Sequence, residues 1–273
     1  MMSKVIFVTG ASRGFGNIWA KAALERGYRV AASARNLQAL FELVSQYGDA
    51  VLPLQLDVTD RQACFSAVQQ AYDHFGQIDV LISNAGYGHF GYIEEITEEE
   101  ARQQMETNVF GSLWIIQAVL PLMRAQMKGH IIQVSSIGGI MAFPSLGIYH
   151  ASKWAMEGIC ETLSQEGKLF NIDVTLIEPG GYSTDWGTTS AAHSQPIDAY
   201  QPLRDAMKQQ SSDPAMIGKP EATADAIMQV IEAPKPPLRL LLGNMPLRMI
   251  EPTYQQRLDT WKAWQPTSEA AQG

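Results

Sequence analysis

An apolar run, Val5-Ile6-Phe7-Val8, leads straight into the turn Thr9-Gly10-Ala11-Ser12-Arg13-Gly14-Phe15-Gly16 and then into a helix-patterned stretch that ends near Gly27. Continuously apolar strands belong to parallel sheets buried on both faces, and parallel strands need long crossovers, usually helices. The alternation continues along the chain. Arg29 to Ala34 reads as strand, Leu37 to Gln46 as helix, Ala50 to Leu56 as strand, Arg61 to Phe75 as helix and Ile78 to Ser83 as strand. Thr97-Glu98-Glu99-Glu100 is a capping box, opening a helix that runs to about Met127 and is closed by Gly129. His130 to Val134, Ile172 to Ile177 and Leu238 to Leu242 complete the strands, with a helix from Tyr149 to Phe170 among them. The predicted fold class is α/β, a Rossmann-type doubly wound parallel sheet of about seven strands in a single domain.

Two segments fall outside this pattern. Tyr182 to Pro220 lacks clean periodicity and carries Gly, Ser, Thr and Pro freely, which predicts a mobile substrate loop over a ligand. In the tail, residues 245–273, the stretch Tyr254 to Trp264 predicts a helix with Leu258, Trp261 and Trp264 on one side, and the last residues read as disordered.

Of the 273 residues, 46% are hydrophobic, enough for a sizeable core, and the net charge is −8 without any run of Lys or Arg. That balance argues against a nucleic-acid surface or an anionic membrane as partner and leaves a small-molecule substrate open. Cys64 and Cys160 lie far apart without metal-ligand spacing and read as buried thiols; no metal site is expected. The longest apolar stretch, Gly111 to Met123, is about 13 residues and contains Pro121, short of the roughly 18 that suggest a membrane span. The N-terminal run is too short for a signal peptide, so a cytoplasmic protein is expected.

The glycines are spaced GxxxGxG rather than GxGxxG, but the turn still joins a buried strand to a helix N-terminus, where free N–H groups and the helix dipole attract phosphate. The second strand ends Ser33-Ala34-Arg35, with no acid to accept from an adenosine ribose. Arg35 and Arg13 are placed to clamp a 2′-phosphate between two guanidinium groups, so NADP(H) is predicted over NAD(H).

Tyr149 and Lys153 stand four apart on one helix face, where the ammonium favours the ionised phenol. An unperturbed tyrosine has a pKa of about 10, and lowering it by roughly 2 to 3 units takes about 3 to 4 kcal/mol, within reach of one cation in a partly dry cleft helped by the positive oxidised nicotinamide. Ser136 lies thirteen positions before that tyrosine.

Taken in order, these residues resemble the short-chain dehydrogenase/reductase family from Val5 to about Leu242. The family's glycine turn matches Gly10, Gly14 and Gly16. Its Asp-Val pair matches Asp57-Val58, its Asn-Ala-Gly matches Asn84-Ala85-Gly86, and its Pro-Gly matches Pro179-Gly180, with Thr184 following. Its active-site asparagine, serine, tyrosine and lysine fall on Asn108, Ser136, Tyr149 and Lys153. Ser83 and Phe15 depart from the usual asparagine and branched aliphatic. Within the family, Asn84 to Gly88 and Ser152 to Gly158 are similar to members resembling 17β-hydroxysteroid and retinol dehydrogenases.

The resemblance implies hydride transfer between NADP(H) and a carbonyl carbon, with Tyr149 as general acid or base and Ser136 donating to the reacting oxygen. It implies that Lys153 binds the nicotinamide ribose and that Asn108 holds a relay water. The turn from Gly10 to Gly16, including Ser12 and Phe15, would cradle the cofactor, and Tyr182 and Thr184 would hold its carboxamide and diphosphate. Substrate specificity is expected from Tyr87, His89, Phe90, Ile137, Met141, Phe143, Tyr182 and Trp186, mostly apolar, with His89 itself read as an exposed loop histidine. Two alternatives are a non-catalytic NADP(H)-sensing regulator on the same fold and a cofactor-retaining epimerase or dehydratase. Relatives imply a homodimer or homotetramer joined through long helices.

Overall fold

The computed structural model describes residues 3–187, 190–210 and 217–273. Seven parallel strands form its sheet: β1 (Val5–Val8), β2 (Arg29–Ala34), β3 (Val51–Gln55), β4 (Val80–Ser83), β5 (Gly129–Val134), β6 (Ile172–Pro179) and β7 (Arg239–Leu242). Their order is β3-β2-β1-β4-β5-β6-β7, so the winding reverses between β1 and β4. In such sheets ligands bind beyond the carboxyl ends of the strands at that reversal. The helices are α1 (Gly14–Glu25), α2 (Phe41–Tyr47), α3 (Arg61–Phe75), α4 (Glu98–Met105), α5 (Gly111–Gln126), α6 (Gly147–Glu166), α7 (Gln201–Gln210), α8 (Thr223–Glu232) and α9 (Pro246–Ala270).

Alternate strand residues feed two cores. Phe7, Leu81 and Ile131 point to the side covered by α3, α5 and α6; Ile6, Val8, Ile82 and Ile132 point to the side covered by α1, α2 and α8. Trp19 is fully buried on the second side, its indole N–H donating to Thr223 Oγ1 at 2.8 Å and so pinning α8 to α1.

The predicted single helix from Thr97 to Met127 is interrupted. Its capping box forms as expected, but Glu106–Phe110 is a π-helical turn between α4 and α5. One extra residue per turn re-aims the side chains there, and Asn108 lies within it. The whole run Glu98–Gln126 is long and apolar enough to cross a membrane, yet half of its apolar window is buried inside this protein.

The expectation of a disordered C-terminus is overturned, since α9 continues to Ala270. Pairs one turn apart, Gln255 to Asp259 at 2.8 Å and Gln265 to Glu269 at 2.7 Å, support it on its exposed surface. The stretch from Tyr182 to Pro220 is also more ordered than its sequence pattern suggests. Ala192–His193 pairs with His89–Phe90, α7 forms, and Arg204 ion-pairs with buried Glu95. Ile197 N–H also donates to Glu95, at 2.8 Å. These anchors are polar and long-range, so hydrophobic periodicity does not reveal them. Residues 188–189 and 211–216 of that loop lie outside the described residues.

His130 in β5 is buried, its Nε2 2.9 Å from Thr175 Oγ1. The Thr175 hydroxyl donates to Pro237 O at 2.7 Å, so it accepts from a neutral imidazole N–H. Burial, followed by the charge of Lys4, pushes the imidazole down to about 4 from 6.5. As pH falls, the unfolded chain therefore takes this proton first. His130 should contribute stability above pH 6.5 that is lost between there and about pH 4, by at most about 3 kcal/mol. Urea unfolding of His130→Gln at several pH values should show a shallower loss across that window; a slope equal to wild type would contradict this account.

Candidate active site

At the carboxyl end of β1 the chain turns through Gly10 (φ 67°) and Gly14 (φ 55°), conformations that glycine adopts without strain. A Cβ on Gly16 would collide with the Gly10 carbonyl, so helix and turn approach as closely as backbone permits. Asn84 braces the turn, donating to Thr9 O at 3.0 Å and Gly10 O at 3.1 Å. The Thr9 hydroxyl in turn accepts from the amides of Asn84 (2.9 Å) and Ala85 (3.0 Å). Arg13, at the N-cap of α1, makes no side-chain cap, and the first turn holds no acidic residue. The helix thus presents uncapped N–H groups, the donor set a diphosphate requires.

This turn forms one wall of a cavity of about 1100 Å³. The same cavity is lined by Ser12, Phe15, Arg35, Asp57, Val58, Ala85 and Gly86, by Ser136, Tyr149 and Lys153, and by Pro179, Gly180, Tyr182 and Thr184. Of the sequence-predicted site residues, Gly16 and Asn108 stand behind the lining. Arg13 and Arg35 are both exposed at its rim. Among the described residues neither has an acidic partner within 4.0 Å.

Helix α6 carries Tyr149 and Lys153, both buried. Lys153 Nζ donates to Val134 O at 2.9 Å and lies 5.8 Å from the Tyr149 ring centroid. Burial lowers Lys153 to about 8, with Glu157 opposing, and raises Tyr149 to about 12, with Ser136 opposing through a hydrogen bond. In the protein alone the phenol is thus raised, with burial the larger cause; the expected lowering combines Lys153 with an oxidised nicotinamide. Ser136 Oγ accepts from Gly138 N at 3.0 Å, which leaves its proton available to the Tyr149 oxygen. Asn108 ties the loop after β4 to α6. Its Oδ1 accepts from Tyr87 N at 3.1 Å, and its Nδ2 donates to Tyr87 O and to Ser152 Oγ, each at 3.0 Å.

The expected specificity set divides. Tyr87, Tyr182 and Trp186 line the cavity, and Phe90 packs on Trp186 with centroids 5.5 Å apart. Ile137 and Met141, with Phe143 beside them, belong instead to a small separate core under α9, closed by Ile250. His89, expected at the surface, is buried, its Nε2 2.8 Å from Ser194 Oγ, which donates to Glu100. The β-ribbon that anchors the loop covers it.

Sequence reading missed the charge cluster beneath Lys153. Arg239 in β7 binds Glu157 and also reaches Glu178 at 2.9 Å and Glu161 at 2.7 Å, while Ser135 donates to Glu157. Burial, then the neighbouring Glu157, raises Glu178. Glu157 standing one turn beyond Lys153 was a legible signal; Arg239 and Glu178 join it only through strand order.

The family model for short chain dehydrogenases matches residues 4–195. An oxidoreductase of Botryotinia fuckeliana, BOA17, is 40% identical over 245 residues, 89% of each chain. A 3-ketodihydrosphingosine reductase of Bacteroides thetaiotaomicron is 37% identical over 248 residues, 90% of each. Among solved structures, a short-chain dehydrogenase from Streptomyces avermitilis superimposes with a TM-score of 0.90 at 34% identity, covering 98% of both chains. An alcohol dehydrogenase from Thermococcus sibiricus, complexed with 5-hydroxy-NADP, gives 0.74 at 27% identity, covering 89% of this chain and 97% of that one.

Proposed function

The chain belongs to the short-chain dehydrogenase family of oxidoreductases, and from that premise we propose that it uses NADP(H) to interconvert a ketone or aldehyde and an alcohol on a small, hydrophobic substrate. The observation that carries the reading is the meeting of two chemistries in one cavity: the uncapped helix turn, and the set Ser136, Tyr149 and Lys153. Bound NADPH supplies the hydride to the carbonyl carbon. Tyr149 gives its phenolic proton to the carbonyl oxygen, and a phenol held up near 12 carries that proton at neutral pH. Ser136 donates to the same oxygen and stabilises the developing alkoxide. Lys153, in the cavity lining beside Tyr149, would hold the ribose and return the proton to Tyr149. Asn108 fixes the loop at Tyr87 against α6 and so the width of the cavity. Asp57, Val58, Asn84, Ala85 and Gly86, which line the same cavity, would hold the adenosine and ribose, and Pro179, Gly180, Tyr182 and Thr184 would hold the carboxamide and diphosphate.

The aromatic lining supports a hydrophobic substrate, and the two rim arginines support NADP(H) over NAD(H). The test is NADPH oxidation by the purified protein across apolar ketones and aldehydes, with NADH for comparison. Consumption of NADPH equal to the alcohol formed is expected; tight NADPH binding with no turnover on any of them would favour a sensor in its place.

A further inference from the structure

One turn beyond Lys153 on α6 stands Glu157, buried like the lysine itself. Side chains four apart on a helix are neighbours, and the charge of Glu157 opposes the lowering of Lys153 by burial. The same carboxylate reaches the turn that carries Ser136. That turn, Ile137–Gly139, is capped by Ser136 and closed by Gly139 N donating to Ser136 O at 2.8 Å. Glu157 touches it at both ends: Ser135 Oγ donates to its Oε1, and a Cβ on Gly139 would stand 2.8 Å from that oxygen and 2.5 Å from Ser135 Oγ. Glycine at 139 thus lets the carboxylate lie against the backbone.

A buried carboxylate needs paired charge and hydrogen bonds. Arg239 on β7 binds Oε2 of Glu157 and also reaches Glu178 on β6 and Glu161 on α6. Burial raises Glu157, with Ser135 and Arg239 opposing, while burial and then Glu157 raise Glu178, which favours its keeping a proton. Cys160, on the same helix, is pushed up to about 12 by burial and stays neutral. With Glu178 protonated, Glu157 and Glu161 exceed Arg239 by one negative charge, which the Lys153 ammonium balances. Building on the oxidoreductase reading, we propose that Glu157 is a positioning residue for the reaction: its carboxylate, held by Arg239, keeps Lys153 an ammonium and braces the turn that presents Ser136.

The first test needs no substrate. Protein labelled with 13Cε-lysine is titrated by NMR without cofactor, the Lys153 signal being assigned through Lys153→Met. Wild type should show a midpoint near 8. Glu157→Gln keeps the length of the side chain and removes its charge, so the midpoint should move down by about one pH unit. Glu161→Gln removes a charge from the same arginine one turn further on, and the midpoint should stay. Equal midpoints in wild type and Glu157→Gln, or equal falls in the two variants, overturn the proposal. In acetophenone reduction, kcat/KM of Glu157→Gln should fall about fivefold at pH 8 and less than about twofold at pH 6, because glutamine still accepts from Ser135. Glu157→Asp should restore the alkaline limb yet lower kcat about tenfold, its shorter side chain no longer spanning to Ser135. A uniform loss at both pH values marks a merely structural role and contradicts the proposal. Should Glu157→Gln fail to fold by circular dichroism, Ser135→Ala takes its place: it deletes the donor that favours the Glu157 charge, so the Lys153 midpoint and kcat should both fall, and wild-type values of both refute the brace. No turnover of any apolar ketone by wild type would count against the oxidoreductase reading instead, while the NMR midpoints still decide the role of Glu157.

Discussion

Tyr149→Phe is expected to lower kcat for ketone reduction by about 10³-fold, mid-range for a positioned proton donor, while NADPH affinity stays at the wild-type level. The substitution removes one oxygen and keeps the ring that touches Trp186 and packs 5.8 Å from Lys153 Nζ. The anion cradle lies on other elements, at Gly10 to Gly16, so binding and chemistry separate. Single-turnover stopped-flow and cofactor fluorescence titration measure the two independently. A Phe variant with wild-type kcat would remove Tyr149 from the mechanism. Loss of NADPH binding together with turnover would make the residue structural. The charge state matters as well. Burial holds the phenol up at about 12, so on the proposed mechanism it would begin reduction as an acid, whereas oxidation would need the phenolate, which the dry cleft disfavours unless a cationic oxidised nicotinamide stands beside it.

The sheet was legible because each strand is an apolar run broken by a turn or cap. Arg29–Ala34 and Arg61–Phe75 fall where the sequence puts them to the residue, since both ends of each carry a local signal. Asp60, for example, caps α3 through Ala63 N at 2.9 Å, and Gly76 closes it in the left-handed region at φ 79°. The Tyr149 and Lys153 pair was legible for the same reason, being a spacing within one helix. What escaped the sequence is what only folding brings together. Glu157, Glu178 and Arg239 come from three elements, Ser194 covers His89 across 105 positions, and Trp186 reaches Tyr149 from a loop without periodicity. The π-turn at Asn108 was missed because the capping box and Gly129 fit an uninterrupted helix equally well. The core at Ile137 and Met141 is not separable from the cleft by sequence, because apolar residues beside Ser136 look alike whether they face a ligand or α9.

Arg35→Asp should raise the KM for NADPH by about 100-fold or more and invert the preference between NADPH and NADH. Each charge-assisted hydrogen bond to a phosphate is worth about 1.5 to 3 kcal/mol, or roughly ten- to a hundredfold at 1.4 kcal/mol per decade. An aspartate adds repulsion of the 2′-phosphate and supplies an acceptor for a free ribose hydroxyl. The position permits the exchange. Arg35 follows β2 directly, its side chain is exposed, and its carbonyl accepts from Gln55 Nε2 at 3.1 Å, a bond that survives any side chain. Arg13, on the opposite loop, should show a smaller loss on Arg13→Ala, because Arg35 remains to hold the phosphate. If both arginines contact it, the double variant loses more than either single one, and raising the salt concentration weakens NADPH binding to wild type more than to the double variant. Equal affinity of wild type for NADPH and NADH, or an Arg35→Asp variant that still prefers NADPH, would show that the two guanidinium groups are ordinary solvated surface charges.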